Sequence, residues 1–348
     1  MNFWLRARLY FHRLTHWEYW PTWVMYIPCY LIYPFYVLYT RAPLYFTAAN
    51  PGIHMGGSFL SSKNEIYKKL PQQLIPQTMY IDGETQFADC IAFAKRNQLN
   101  YPLIAKPDIG EMGLGIKMID SDSALKDFVT QNVDPYLIQE FIPYEHELGI
   151  FLIRKESGEF DITSIVAKEF ISLVGDGHKS VEELFLATPR YAMQLEWMKL
   201  QEDIDSSQIL AKGATLELVR IGNHSRGSIF RDANHLNNQQ LRQSMNVSLA
   251  DFEGFNYGRL DVKYNNFEEL LLGKNFSIIE LNGVFSEAAH IYDPDFRFLE
   301  AWKVTFWHWR TLFHLSLKGI KAGHRPDRLR DEFWNIIYHF RFLAKLRK

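Results

Sequence analysis

The chain has little cysteine. Cys29 and Cys90 are its only two, far apart and without metal-ligand spacing, which excludes a disulfide framework and a cysteine-built metal centre. It has almost no net charge: a balance of −2 over 348 residues argues against broad nucleic-acid binding, which draws on many phosphate contacts. No internal repeat or low-complexity tract is present, so solenoid architectures drop out. Its glycine loops are followed by no Gly-Lys-Ser/Thr of the Walker type and form no Rossmann fingerprint. From Tyr19 to Thr40 there is no charged residue, a run of 22.

That run is long enough to cross a bilayer. Pro21, Pro28 and Pro34 interrupt it, and tyrosines at 19, 26, 30, 33, 36 and 39 favour the headgroup level. Three readings follow: a span, a monotopic or re-entrant segment, or aromatic helices packing on the core or a partner. A cleaved signal peptide is not indicated, because the apolar run is broken by proline and no A-x-A site follows.

What is present begins with size. A chain of 348 residues that is 47% hydrophobic can bury a substantial core in two or three subdomains. The near-zero total hides an asymmetry. Residues 301–348 hold eleven Lys/Arg against three acids, and residues 1–45 hold four arginines against Glu18 alone. Both ends are aromatic, and Phe333, Trp334, Ile336, Ile337, Phe340 and Leu343 recur at helical spacing. Basic helices with an aromatic face suit an anionic membrane surface, which implies a cytoplasmic protein lying peripherally on the inner face of the cell membrane.

The middle carries the chemistry. Arg259-Leu260-Asp261-Val262-Lys263 and Phe276 to Gly283 alternate like strands, with a polar, turn-like stretch from Phe267 to Asn275 between them. Two adjacent antiparallel strands are expected. Asp261, Glu280 and Asn282 would then face one spot, and three oxygen ligands with few charges suit Mg²⁺ that also holds phosphates. The alternative is an exposed hairpin with solvated acids. Upstream, Leu103-Ile104-Ala105-Lys106-Pro107 reads as a short buried strand ending in a lysine, followed by a loop with Gly110, Gly113 and Gly115. Such glycines let backbone N–H groups approach phosphate oxygens, and Lys106 adds a point charge. Lys168, in the alternating run Ser164 to Phe170, would stand exposed, paired with Glu169 or solvent.

Together these elements resemble the ATP-grasp superfamily of carboxylate–amine ligases, with a core similar to D-alanine–D-alanine ligase, glutathione synthetase and cyanophycin synthetase. The resemblance covers about residues 60 to 295. It implies an α+β fold of the ATP-grasp type, two α+β subdomains clamping ATP, flanked here by aromatic, basic helices. Lys106 with Gly110, Gly113 and Gly115 matches the family's central lysine and phosphate-covering loop. Gln139, Glu140, Phe141 and Ile142 match the hinge that receives adenine, and Glu145 or Glu147 the ribose-binding acid. Lys63 matches the first lysine at a helix start, where Ser-Lys replaces the usual Asp-Lys. Asp261, Glu280 and Asn282 match the metal triad, for one or two Mg²⁺ or Mn²⁺, and Arg259 the arginine that contacts the transferred phosphate. Val174 to Leu184 and Ile221 to Ser228 resemble segments of glutathione- and cyanophycin-synthetase-like members. In the second, Arg226 is the candidate oxyanion donor and His224 a candidate base or substrate contact.

The implied organisation is residues 1–60 as a helical lead and linker, 61–295 as the ATP-grasp domain and 296–348 as a basic helical tail. Within the domain, 61–100 reads as mostly helical, 101–155 as the nucleotide-covering subdomain and 156–295 as the metal-site sheet. The implied reaction joins a carboxylate to an amine through an acyl phosphate, on a substrate that a membrane or lipid would carry. The alternatives are a nucleotide-binding membrane protein that does not ligate, and a kinase of the same fold. About sixty residues precede Lys63, where the amino-acid ligases place a doubly wound domain, which sets the D-alanine substrate in question.

Overall fold

The computed structural model describes residues 3–111, 113–170, 172–193, 198, 204–218 and 228–346. Among these, two mixed layers of helix and sheet form an α+β molecule, as expected from the sequence. A four-stranded antiparallel sheet has the order β1-β4-β2-β3, with β1 Thr78–Ile81, β2 Leu103–Pro107, β3 Lys117–Ile119 and β4 Tyr136–Glu140. Helices α5 Phe87–Arg96 and α6 Asp122–Gln131 supply its core, where Cys90, Leu125 and Phe128 meet Leu103, Ala105 and Ile138. A five-stranded antiparallel sheet has the order β11-β10-β5-β6-β9: β5 His146–Arg154, β6 Phe160–Glu169, β9 Ile229–Asp232, β10 Tyr257–Tyr264 and β11 Phe276–Asn282. The short pair β7 Ser172–Val174 and β8 Thr215–Glu217 stands apart.

Three local expectations change. Residues 61–100 are not mostly helical: Thr78–Ile81 is an edge strand pairing with β4, because its alternating side chains cover the small core. Residues 146–154, expected in the nucleotide-covering part, form β5 at the centre of the larger sheet. The stretch after β10 holds a helical turn, Phe267–Leu271 (α10), capped by the Asn266 side chain accepting from the Glu268 N–H.

The terminal helices belong to the core. Helices α1 Phe3–Thr15, α2 Thr22–Met25 and α3 Ile27–Thr40 lead in. The next is α4 Lys63–Tyr67. Further along, α7 Val181–Ala187, α8 Pro189–Ala192 and α9 Gln239–Ser248 precede α10. At the end lie α11 Phe298–Lys321 and α12 Leu329–Leu346. The Tyr36 and Phe313 rings stack at 3.7 Å between α3 and α11. His308 of α11 is buried against Phe151 of β5. One side of the lead therefore packs on α11, which lies on the large sheet, as the reading of aromatic helices packing on the core had it. Its other side does not: Trp4, Trp23, Leu31, Phe35 and Leu38 are more than half exposed. No helix among the described residues is long and apolar enough to cross a membrane, so the spanning reading of residues 19–40 is set aside. Helix α3 has only 14 residues, about 21 Å at 1.5 Å each, against a hydrocarbon layer of about 30 Å.

Candidate functional site: a cleft between the two sheets

The register of β10 and β11 sets the floor of the cleft. Asp261 lies opposite Glu280 and Arg259 opposite Asn282. A bulge follows Asp261. On the other side of β10, Asp261 pairs with Gly149 of β5. That glycine leaves room: a Cβ there would lie 3.1 Å from Asp261 Oδ1, 3.1 Å from Arg259 Cδ and 2.8 Å from a Val166 methyl.

The room holds a buried charge cluster. Asp261 is 2% exposed. Its carboxylate accepts from Arg259 Nε at 2.7 Å and Nη2 at 3.2 Å, and from Lys168 Nζ at 3.1 Å. Lys168 also donates to Glu147 at 2.5 Å. Burial alone would raise the Asp261 pKa, but Arg259 and Lys168 beside it hold the carboxyl below its usual range. Burial likewise opposes the charge of Lys168, and Asp261 and Glu147 more than offset it, raising its pKa. The surface placement of Lys168 beside Glu169 is thus overturned. Lys168 is buried within the cluster, and Glu169 pairs with Arg231 instead.

The small sheet supplies the opposite wall. Lys106 on β2 is 4% exposed, and its Nζ donates to the Tyr67 hydroxyl at 2.6 Å and the Ile279 carbonyl at 3.2 Å. Tyr67 in turn donates to the same carbonyl. Burial pulls the Lys106 pKa from 10.5 down to about 8, with Glu280 opposing. Asp108, just past β2, ties the two lysines together in space. Its Oδ1 accepts from the Ser62 hydroxyl and the Asn64 N–H, which fixes the start of α4. Ser62 is also the cap of that helix, accepting from the Glu65 N–H. Lys63 is thereby aimed across the cleft: its Nζ donates to the Gly110 carbonyl at 2.6 Å and lies 3.7 Å from Glu280. Gly113 and Gly115 take left-handed φ of 67° and 72°, the turn conformations that made glycine informative.

The cleft encloses a cavity of about 130 Å³. Eleven of the expected residues line it: Lys63, Lys106, Gly110, Gly113, Gln139, Glu140, Phe141, Ile142, Glu147, Asp261 and Glu280. Five do not. Glu145 is exposed outside the cavity, its N–H bonded to the Asn265 side chain, because residues before β5 leave the sheet there. Gly115 packs on Pro107, Tyr136 and Leu346. Arg259 is held behind Asp261 by its paired hydrogen bonds. Asn282 stands at the end of β11, its Nδ2 buried without a hydrogen-bond partner among the described residues. Arg226 lies outside the described residues, as does His224. Glu147 lines the cavity, but its carboxylate is engaged by Lys168.

Asp261 and Glu280, opposite each other on paired strands, are hard oxygen donors of the kind a divalent cation takes; the unpartnered Asn282 Nδ2 is an N–H donor, so only its Oδ1 could join them. Among the described residues no group of three or more His, Cys, Asp or Glu is placed to hold a metal ion. Two contributors had no sequence signal. Tyr67, at the end of a five-residue helix, joins Lys106 to β11. Gly149 could have been read only with the β5–β10 register in hand.

No protein-family model matches the chain, nor does any curated protein. Solved structures do match at low identity. A bifunctional glutathione synthetase from Pasteurella multocida is 15% identical over 74% of this chain, with a TM-score of 0.40. A D-alanine–D-alanine ligase from Bacillus anthracis is 13% identical over 75% of this chain, at 0.42. The corresponding enzyme from Helicobacter pylori is 16% identical over 73%, at 0.37. The chain spans 37%, 69% and 60% of their lengths, respectively.

Proposed function

We propose that the chain is an ATP-grasp ligase that joins a carboxylate to an amine with conversion of ATP to ADP and phosphate. The observation that carries this reading is the convergence of Lys63, Lys106 and the glycine loop on the pair Asp261 and Glu280, from two sheets, around one cavity. A carboxylate oxygen attacks the γ-phosphorus of ATP, the bond to the β-phosphate oxygen breaks, and ADP leaves. The amine nitrogen then attacks the acyl carbon, phosphate departs, and the nitrogen loses its proton. Transfer of this kind is helped chiefly by positioning and by cations on the phosphoryl oxygens.

Each residue has a part in this. Lys106 and Lys63 meet phosphate oxygens from the small-sheet side, and the backbone N–H groups around Gly110, Gly113 and Gly115 cover them. Gln139 to Ile142 frame the base, with Ile104 and Ile116 adding apolar walls. The ribose-binding acid is Glu147 if Lys168 releases its carboxylate on binding, since Glu145 stands outside. Arg259 is a positioning residue that orients Asp261 through two hydrogen bonds. Asp261, Glu280 and Asn282 are the residues that would hold Mg²⁺, which when bound neutralises charge on the phosphates. Arg226 is the proposed donor to the oxyanion.

The test is release of ADP and phosphate on adding candidate acids and amines. Hydroxylamine is then added in place of the amine. A hydroxamate marks an acyl phosphate, whereas phosphorylation of a non-carboxylate group gives none. Replacing Glu280 by Gln is expected to abolish turnover while sparing the fold, because Glu280 is partly exposed and makes no strong partner beyond Lys63. Normal activity in that variant would remove the cation assignment.

We further read the exposed aromatic faces of α1–α3, α11 and α12, with the excess of Lys and Arg at both ends, as a surface for an anionic membrane, so that the substrate is membrane-borne. Binding to anionic but not zwitterionic vesicles, weakening with salt, is the expected result.

A further inference from the structure

Helix α12 turns one side to the glycine loop. His339 is buried. Its Nε2 is 3.1 Å from Glu111 Oε1 in the loop, and its Nδ1 accepts from the Leu60 N–H at 3.4 Å. Its ring meets that of Phe59 edge-on at 5.5 Å. At the end of the helix, Lys345 bonds Asp134 at 2.6 Å. Asp134 stands just ahead of Pro135, whose carbonyl accepts from the Asp108 N–H. The Leu346 methyls cover both ends of the loop: a Cβ on Gly110 would lie 3.6 Å from one, and a Cβ on Gly115 3.0 Å from the other. Phe342 and Leu343 are buried on the same side.

The opposite side is exposed and chemically different, with Arg330 paired to the neighbouring Asp331 at 3.1 Å. Trp334 is 72% exposed and Tyr338 52%, and with Arg330 and Arg341 they recur at intervals of three and four on one helical face. Tryptophan and tyrosine spaced among arginines match the headgroup layer of an anionic bilayer, in ring chemistry and in charge. The eleven Lys/Arg against three acids in residues 301–348 supply the complementary field.

The cavity under the loop is about 130 Å³, small beside the roughly 300–1,000 Å³ of ordinary ligand sites. Gly110, Glu111 and Gly113 of the loop line that cavity, so a nucleoside triphosphate seated there meets the loop. Moving it breaks the Glu111–His339 contact and uncovers Leu346. The seating of α12 and the occupancy of the cleft are therefore not independent.

We propose that α12 couples an anionic lipid surface to the nucleotide cleft, with lipid on the Arg330–Trp334–Tyr338–Arg341 face releasing the glycine loop that its His339 and Leu346 hold. This rests on the nucleotide reading of the cleft. His339 is a positioning residue for the loop. Linkage requires the effect to be reciprocal: lipid tightens nucleotide and nucleotide tightens lipid by the same factor.

The experiment uses the full chain and titrates MgADP by calorimetry, with phosphatidylcholine vesicles or with vesicles of roughly one-third phosphatidylserine. The expected result is MgADP affinity at least about fivefold tighter on the anionic vesicles, and vesicle binding tighter with MgADP by the same factor. The double variant Trp334→Ser, Tyr338→Ser keeps its vesicle-free MgADP affinity and loses the enhancement. His339→Gln keeps vesicle binding and loses the enhancement. Glu111→Ala removes the acceptor of the same contact from the loop side, where the side chain is half exposed, and is expected likewise to keep vesicle binding and lose the enhancement, so a folding defect in the helix cannot stand in for the answer. Vesicle binding with no change in MgADP affinity overturns the coupling. MgADP binding without any vesicle binding overturns it too and leaves the nucleotide reading standing. No MgADP binding under any condition removes both.

Discussion

Replacing Lys106 by Met separates stability from nucleotide binding at one residue. Lys106 is 4% exposed, and burial brings its pKa from 10.5 to about 8. At 1.36 kcal/mol per pKa unit, burying that charge costs about 3 kcal/mol at pH 7. Methionine has a similar shape and no charge. It gives up the hydrogen bonds from the ammonium to the Tyr67 hydroxyl and the Ile279 carbonyl, worth about 1.5 kcal/mol each at the low end for a charged donor. The carbonyl keeps Tyr67 as a donor, so no buried group is orphaned. The two effects nearly cancel, so the nucleotide-free variant is expected to match the parent in stability to within about 1 kcal/mol, about 2 °C in Tm. Its affinity for MgATP is expected to fall by roughly tenfold to a hundredfold, the loss of one charge-assisted contact. The pH dependence has a definite sign. Between about 8 and 10.5 the unfolded chain holds the Lys106 proton and the folded chain does not, so this group adds stability as pH rises through that window. Over the same window MgATP affinity weakens, because the amine must take up a proton to meet phosphate. Calorimetric melting and MgATP titration from pH 7 to 9.5 check both. A variant destabilised by more than about 1 kcal/mol, or one that binds MgATP as tightly as the parent, refutes the reasoning.

Three other outcomes follow from the same geometry. Lys168→Met leaves Glu147 and Asp261 buried without their shared partner and is expected to cost about 3–5 kcal/mol in urea unfolding; an unchanged midpoint would mean that the cluster is hydrated. Gly149→Ala places a methyl 2.8 Å from the Val166 side chain and 3.1 Å from Asp261 Oδ1. It is expected to cost about 1–3 kcal/mol and to weaken Mn²⁺ binding measured by spin resonance, whereas Gly158→Ala, where a Cβ meets nothing within 4 Å, leaves Mn²⁺ binding unchanged. Cys29 and Cys90 are buried, and burial pushes their thiols up to about 12 and 11. Ellman's reagent should therefore find neither thiol at pH 8 until denaturant is added; prompt reaction would show that the helices around them open readily.

What the sequence determined by itself was local and periodic. Two-residue alternation in 259–263 and 276–282 placed Asp261 and Glu280 on paired strands, and the structure sets them opposite each other. Glycines at 110, 113 and 115 announced a tight loop after a buried lysine, and two of the three take left-handed turns there. The charge-free aromatic lead read as helical, and it is. What the tertiary structure alone decided depends on which strands become neighbours. Lys168 lies 93 positions from Asp261, and only the β5–β6 and β5–β10 registers bring them together. Glu147 was legible as an acid on a strand, but its engagement with Lys168 was not. Thr78–Ile81 became a strand because β4 offered an edge. The seating of His339 and Leu346 on a loop more than two hundred residues away leaves no trace in spacing. Periodicity reports which side of an element is apolar; it does not report what that side will meet.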